Sequence, residues 1–131
     1  MTNENLRLID ANLNRLREGV RVVEDIYRYI LNDKETASKL KQLRHSARVD
    51  FYDKLLESRD IQNDVLKTSI SSEQTRANLA SILIANFKRA QESARVLEEF
   101  CKLYDKTLSE VFKSIRYELY DIEKRNNEIS F

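Results

Sequence analysis

The chain has 131 residues, enough for one domain, and it contains no proline and a single glycine, which excludes turn-rich β folds and favours long helices joined by short links. Its 23 basic and 22 acidic residues are spread along the chain and give a net charge of +1, so no nucleic-acid partner is expected. The longest apolar run, residues 79–85, is too short to span a bilayer and no signal peptide is visible, so we expect a cytoplasmic protein without a membrane partner.

The first half of the chain is predicted to form two helices. The first helix runs from Asn3 to Leu31, because apolar residues recur at helical spacing along it. Asn32 or Asp33 can cap a second helix, which continues to about Glu57 with the same spacing. These two helices form the first predicted hairpin.

The second half follows an irregular stretch, residues 58–71, which is the longest predicted connection. We expect a third helix to start at Ser71, which matches a capping box with Gln74, and to reach about Tyr104. A fourth helix follows, and a second capping box marks its start. That box pairs Thr107 with Glu110, and we expect the helix to end at about Glu128.

Two stretches of the first half return in the second half. The stretch "ANLNRLREGVRVVED", from Ala11, resembles "ANFKRAQESARVLEE", from Ala85, and "LKQLRH" resembles "FKSIRY". We therefore predict an all-α fold in which four main helices form a duplicated helical hairpin, packed as a bundle with a pseudo-twofold relation between the halves. The prediction is a single helical domain of residues 1–131. Its first repeat covers about residues 3–57, its central loop residues 58–71 and its second repeat about residues 72–129.

The repeat preserves polar residues as well as apolar ones. At about 100° per residue, Asn12 falls within the apolar arc of the first helix, and Asn86 does so in the third. Charged residues then wind from the edge of this arc to its opposite side, at Arg15, Glu18, Arg21, Arg89, Glu92 and Arg95. One interpretation is that the asparagines fix the register of the bundle and the charges form a solvated flank. The other is that both halves line a central pocket whose arginines bind an anion such as phosphate.

Further candidate residues lie outside this repeated stretch. Arg59, Asp60 and Asp64 lie on the longest connection, where functional groups often occur, although helix capping and solvation would explain them as well. The single histidine, His45, aligns with a tyrosine of the second repeat. The single cysteine, Cys101, is predicted to be buried in the core. These counts exclude a metal site built from histidine or cysteine, but not Mg²⁺ held by carboxylates and phosphates.

Five ordered motifs carry a resemblance to a known family. "RLIDANLNRLREGVRVVEDIYRYIL", "LRH", "SRD…DV", "ANFKRAQESARVLEEF" and "IRYELYDIEK" together resemble the small all-helical hydroxymethylpyrimidine phosphate kinase domain, which is found at the N-terminus of some bacterial thiamin phosphate synthases and also free-standing. The resemblance covers nearly the whole chain. It implies phosphorylation of 4-amino-5-hydroxymethyl-2-methylpyrimidine phosphate to its diphosphate in thiamin biosynthesis, with ATP and Mg²⁺.

The resemblance also implies roles for individual residues. The implied catalytic residues are four arginines, which contact the phosphates, and one aspartate of the connection: Arg15, Arg21, Arg89, Arg95 and Asp60. The resemblance assigns substrate-binding groups, including asparagines that face the aminopyrimidine, to Asn12, Glu18, Arg44, His45, Arg59, Asn86, Glu92 and Arg116. The Mg²⁺ candidates are Glu18, Glu92 and Asp60. The chain departs from the family pattern at Leu66, where the family commonly has a glycine that can adopt positive φ.

Two alternative functions remain open at this stage. In the first, the protein is a non-catalytic module that binds either the pyrimidine phosphate or the barrel of a separate thiamin phosphate synthase. In the second, it is a helical interaction protein whose repeated charges set subunit register. The expected partners are therefore a small-molecule substrate and a nucleotide, with a separate synthase as a further candidate. Apolar residues such as Leu66, Ile70 and Phe131 are compatible with a homo-oligomer or with local packing.

Overall fold

The fold was obtained as a computed structural model, which describes residues 1–70 and 75–126. In this part of the chain the regular structure is helical and no strand is present, which confirms the predicted all-α class. The α-helices are α1 (Asn3–Asp25), α2 (Lys34–Ser46), α3 (Tyr52–Ser58), α4 (Leu79–Cys101) and α5 (Lys106–Arg125). None of the helices in the described ranges is long and apolar enough to cross a membrane.

The first helix differs from the prediction in its last turn. α1 ends at Asp25, and the chain continues as a π-helical turn, Ile26–Ile30, in which the N–H of Leu31 donates to the carbonyl of Ile26 at 3.0 Å. Asn32 then adopts a left-handed conformation, with φ 52°, which asparagine tolerates better than most residues. The predicted helix to about Leu31 is therefore present, but its last turn is π-helical, which apolar spacing does not distinguish from an α-turn.

The predicted second helix is two separate helices. Asp33 caps α2, since its carboxylate accepts a hydrogen bond from the N–H of Thr36 at 3.0 Å. The backbone leaves the helix at Ala47, which has φ −80° and ψ 77°, and becomes helical again only at Tyr52. The prediction of one helix to Glu57 was wrong because the bend keeps the apolar spacing, with Ala47 buried and α3 packed against α1.

α4 begins later than predicted. Its start is Leu79, where the side chain of Asn78 accepts from the N–H of Ser81 at 2.8 Å and the Ser81 hydroxyl accepts from the N–H of Asn78 at 3.1 Å. The predicted capping pair, Ser71 and Gln74, lies outside the described residues. Residues 75–78 are described and are not helical, so the expected start was wrong.

The cap of α5 also differs from the prediction. Asp105 caps this helix, because its carboxylate accepts hydrogen bonds from the N–H groups of Thr107 and Leu108 at 2.9 and 3.3 Å. The expected cap, Thr107, is therefore already inside the first turn. α4 ends at Cys101 rather than at Tyr104, and the described part of α5 ends at Arg125, while Glu128 lies outside the described residues.

The most extensive helix–helix contact in the described chain is the packing of α1 against α4. At Gly19 of α1, an added Cβ atom would lie 3.1 Å from the backbone oxygen of Asn86 and 3.4 Å from the Cβ of Ala90. A Cβ atom at this position is therefore tight and requires its neighbours to move by a few tenths of an ångström, and a larger side chain requires more. The core formed around the crossing includes fully or nearly fully buried Leu16, Val20, Ala90, Ala94 and Leu97.

Cys101 is completely buried at the end of α4, as predicted. Burial raises the pKa of its thiol from 9.0 to about 11, because the low-polarity surroundings disfavour the thiolate. Burial likewise raises the pKa of the Tyr27 hydroxyl from 10.0 to about 12. Both groups therefore keep their protons in the folded protein well above neutral pH.

We expect Gly19→Val to lower the free energy of unfolding by about 1–3 kcal/mol, because the new side chain must push α1 away from α4. Intrinsic helix propensity acts in the opposite direction, since valine is favoured over glycine by a few tenths of a kcal/mol. Urea unfolding followed by circular dichroism measures the difference. The control is Ala11→Val, at an exposed position of the same helix. A Gly19→Val protein as stable as the parent would contradict the close crossing.

The buried thiol predicts that stability falls as the pH rises from about 9 to about 11. The unfolded chain loses the Cys101 proton near pH 9, whereas the folded chain retains it to about pH 11, so the unfolded state binds fewer protons in this window. Denaturant midpoints measured across the window should decline in the parent and decline less in Cys101→Ala. The decline attributed to Tyr27, between about pH 10 and 12, should persist in both proteins. Equal slopes in both proteins between pH 9 and 10 would contradict this account.

Candidate functional site

A cleft of about 230 Å³ opens between α1 and α4, and we name it the interhelix cleft. It is lined by Asn12 and Arg15 of α1 and by Arg89, Glu92 and Ser93 of α4, with one further apolar residue. Four of these five residues were predicted as site residues from the sequence repeat. The structure thus brings together polar residues from both copies of the repeat, as the pocket interpretation requires.

The small residues of the helix crossing position this cleft. Ser93 of α4 stands where the repeat has Gly19 in α1, and it is buried, with 4% of its surface exposed. Small residues therefore occupy the equivalent position in both helices of the crossing. Arg15 and Arg89 precede these residues by one helical turn, which gives each arginine access to the same opening.

The repeated asparagines make the same local hydrogen bond. The side-chain amide of Asn12 donates to the carbonyl of Leu8 at 2.9 Å, and that of Asn86 donates to the carbonyl of Ile82 at 2.8 Å. Each asparagine is therefore bonded within its own helix and not across the bundle. Within the described residues, the side-chain oxygen of Asn12 accepts no hydrogen bond, and this buried side chain lines the interhelix cleft. Its oxygen is available to a ligand that donates a hydrogen bond.

Arg15 and Arg89 are the exposed cations of the interhelix cleft. Neither has an ion-pair or hydrogen-bond partner among the residues that the structure describes. The other two arginines that were predicted to contact phosphates are neutralised locally: Arg21 pairs with Asp25 at 3.3 Å, and Arg95 pairs with Glu98 at 2.7 Å and with Glu99 at 3.2 Å. The interhelix cleft therefore contains two guanidinium groups without an ion-pair partner in the described chain and one carboxylate, Glu92, an excess of positive charge that favours an anion.

Arg44 and Arg116, both predicted to bind substrate, are engaged in buried ion pairs. Arg44 donates to both carboxylate oxygens of Glu24, at 2.7 and 3.3 Å, and this hydrogen bonding raises the pKa of Arg44. Arg116 donates to both oxygens of Glu98, at 2.9 and 3.3 Å. The two pairs occupy equivalent positions of the sequence repeat, and each joins the two helices of one half. Their geometry favours a role in positioning α2 and α5 over contact with a ligand. The predicted site residue His45 is exposed in the last turn of α2 and lines neither the interhelix cleft nor the cleft described next.

A larger cleft, of about 500 Å³, lies between α1 and the connection that follows α3, and we name it the connector cleft. Arg15 lines it as well, together with the predicted residues Arg59, Asp60 and Asp64 and with Lys67. The connection in which the sequence predicted functional residues therefore lies beside α1, the helix that also lines the interhelix cleft.

An ion pair holds this connection against α1. Arg59 donates from Nε and Nη2 to the two carboxylate oxygens of Asp10, at 2.8 and 2.9 Å. Asp10 is buried, with 4% of its surface exposed. Sequence reasoning missed Asp10, because it falls about 160° from Asn12 on the helical wheel, outside the apolar arc of α1, and its position in the second copy holds Ile84. Arg59, predicted to bind substrate, is instead committed to this anchor.

The backbone of the connector cleft is organised by aspartates. The carboxylate of Asp60 accepts hydrogen bonds from the side chain and the N–H of Asn63, which lowers its pKa and keeps it ionised. Asp64 accepts from the N–H of Leu66 at 3.0 Å. Leu66 does not adopt positive φ, so the departure from glycine at this position causes no backbone strain here. Leu66 and Ile70 are exposed, whereas Phe131 lies outside the described residues.

The Mg²⁺ candidates do not form one cluster. Asp60 lines the connector cleft, Glu92 lines the interhelix cleft, and Glu18 lines neither. Over the described ranges, no group of three or more histidine, cysteine, aspartate or glutamate residues is arranged to hold a metal ion. Mg²⁺ is often held by one or two carboxylates together with substrate phosphates. The connector cleft offers two such carboxylates, those of Asp60 and Asp64.

Comparison with known proteins agrees with the resemblance identified in the sequence. The ThiD2 family model matches residues 7–125. Among curated relatives, the thiamine-phosphate synthase of Synechocystis sp. is 41% identical over 89% of this chain, that of Rhodopirellula baltica 40% over 88%, and that of Nostoc punctiforme 38% over 89%. The alignments cover 34%, 32% and 34% of these relatives, so the chain spans about a third of their length. No solved structure matches the chain. The chain belongs to the ThiD2 family.

Proposed function

We propose that this protein transfers the terminal phosphoryl group of ATP to 4-amino-5-hydroxymethyl-2-methylpyrimidine phosphate and so supplies the diphosphate for thiamin biosynthesis. The observation that carries the proposal is the pair of arginines, Arg15 and Arg89, which line one cleft from two helices and have no ion-pair partner among the described residues. Membership of the ThiD2 family and relatives named thiamine-phosphate synthase support a place in thiamin biosynthesis.

The proposed reaction is an in-line transfer between two phosphates. A terminal oxygen of the pyrimidine monophosphate attacks the γ-phosphorus of ATP and forms a new P–O bond. The bond between that phosphorus and the β–γ bridging oxygen breaks, and its electron pair remains on ADP. The attacking oxygen is already ionised at neutral pH, so no proton has to be removed and no strong general base is needed.

The main obstacle to this reaction is repulsion between two anionic substrates. The protein has a net charge of only +1, so attraction cannot come from its overall field. Arg15 and Arg89 supply local positive charge instead, and guanidinium groups bind phosphate oxygens with directed, paired hydrogen bonds. Fixed donors of this kind stabilise the charge that develops on the equatorial oxygens during transfer.

The remaining residues of the clefts have supporting roles in the proposal. The free side-chain oxygen of Asn12 accepts a hydrogen bond from the 4-amino group of the pyrimidine, which a neutral amide can do at any pH. Asp60 and Asp64 of the connector cleft would hold Mg²⁺. When bound with the nucleotide, this ion neutralises charge on the β- and γ-phosphates.

Phosphorus NMR provides the direct test. The protein is incubated with ATP, Mg²⁺ and the pyrimidine monophosphate, and the expected result is equal formation of ADP and the pyrimidine diphosphate. Binding of the monophosphate without turnover would contradict the kinase proposal and favour a module that delivers this compound to a synthase. A delivery module is a reasonable alternative, because the chain spans about a third of the length of relatives that are named as synthases.

We expect Arg15→Met and Arg89→Met each to lower kcat/KM by about 10²-fold, because each change removes a donor aimed at transferring phosphates. Lysine at either position should restore part of the loss, since it keeps the charge but not the paired geometry. An ADP-release assay measures the rates. The matched control is Arg125→Met, which removes only a surface ion pair with Asp121. Changes of less than about threefold at both cleft positions would contradict the proposal.

The ion pair of Arg44 with Glu24 gives a separate prediction. Glu24→Met alone should lower the free energy of unfolding by about 3 kcal/mol, because it leaves a largely buried guanidinium without its partner. The double variant Glu24→Met/Arg44→Met should recover much of that loss, since no uncompensated charge remains.

The double variant also separates a structural role of Arg44 from substrate binding. If Arg44 positions α2, kcat/KM of the folded double variant should stay within about threefold of the parent under the same assay. A loss of about 10²-fold in a stable double variant would instead assign Arg44 to the substrate.

A further inference from the structure

One side chain links the two clefts. Arg15 lines both the interhelix cleft and the connector cleft, and no other residue does so in the part of the chain that the structure describes. The guanidinium group of Arg15 is exposed and has no partner there. Groups bound on either side of α1 at this turn are therefore within reach of the same cation.

The two clefts differ in their relation to the sequence repeat. The interhelix cleft is built from repeated residues, including the equivalent arginines Arg15 and Arg89. The connector cleft has no such counterpart: Asp10, which anchors it through Arg59, corresponds to the exposed residue Ile84 in the second copy. The connection after α3 therefore breaks the similarity of the two halves and creates a second, dissimilar site next to the first.

Size and charge match each cleft to a different ligand. The connector cleft is about 500 Å³ and the interhelix cleft about 230 Å³, so the larger of two substrates fits the former. Arg7 and Lys67 bring positive charge to the connector cleft, and the carboxylates of Glu4, Asp60 and Asp64 line it as well. Cations that can contact phosphates, next to carboxylates that can hold a divalent cation, are suited to a metal-bound polyphosphate.

The interhelix cleft has the features expected for a small heterocyclic phosphate. It combines Arg89, for a single phosphate group, with the hydrogen-bond acceptors Asn12 and Glu92, for an exocyclic amine. We infer that the nucleotide binds in the connector cleft and the pyrimidine phosphate in the interhelix cleft, with Arg15 between them where the phosphoryl group is transferred. This assignment rests on the proposed kinase function and adds the location of each substrate.

Separate binding measurements test the assignment. Isothermal titration calorimetry is carried out with β,γ-methylene-ATP plus Mg²⁺ and, independently, with the pyrimidine monophosphate. Lys67→Met should weaken nucleotide binding at least fivefold and change monophosphate binding less than twofold, because Lys67 lines only the connector cleft. Arg89→Met should give the opposite pattern, and Arg15→Met should weaken both.

A matched control and a folding check accompany these variants. Lys113→Met removes a cation from an exposed position of α5 and should leave both affinities unchanged. Far-ultraviolet circular dichroism verifies that each variant is folded. Lys67 is exposed on a connection and donates only to the carbonyl of Gln62, so its removal should not unfold the protein.

The possible outcomes separate the inference from the proposed function. The reverse pattern would overturn the assignment: nucleotide binding would be lost in Arg89→Met and kept in Lys67→Met. In that case, turnover by the parent protein would still leave the kinase proposal intact. Equal effects of both variants on both ligands would also overturn it, because the clefts would then act as one site. Failure of the parent protein to bind either ligand would overturn the inference together with the proposed function.

Discussion

The close packing of α1 against α4 is the constraint on which the rest of the structure depends. Gly19 allows the backbone of α4 to approach so closely that even a Cβ atom would lie 3.1 Å from the backbone oxygen of Asn86. This approach sets the width of the interhelix cleft and brings Arg15 and Arg89 to the same opening. Two like charges repel each other, so the packing energy of the apolar core must hold them in proximity until an anion binds.

The buried ion pairs complement this packing. Glu24 with Arg44 and Glu98 with Arg116 join the two helices of each half, and their carboxylates are almost fully removed from solvent. A buried pair of this kind contributes little net stability relative to apolar packing, but it allows few alternative arrangements. In this fold the pairs fix the hairpins, because each of them joins the two helices of one half.

The sequence predicted the all-α class and the cleft residues better than the ends of the helices. Apolar spacing is retained through the π-turn after Asp25 and through the bend at Ala47, so periodicity could reveal neither. Residues repeated in both halves identified Asn12, Arg15, Arg89 and Glu92, because the polar groups of a shared cleft come from both copies. The repeat could not distinguish these arginines from Arg44 and Arg116, whose carboxylate partners are repeated with them. Asp10 was missed because the repeat does not include it.

The position one turn after each cleft arginine has two effects at once. An arginine on a helix surface commonly pairs with an acidic residue four positions later, as Arg21 does with Asp25 and Arg95 with Glu99. After Arg15 and Arg89 that position holds Gly19 and Ser93, the small residues of the crossing. The small residues of the crossing therefore leave no carboxylate four positions after either arginine, and Glu18 and Glu92, three positions after them, form no ion pair with them in the described part of the chain. Shape and charge are coupled at these two positions, and a single acidic substitution there would change both.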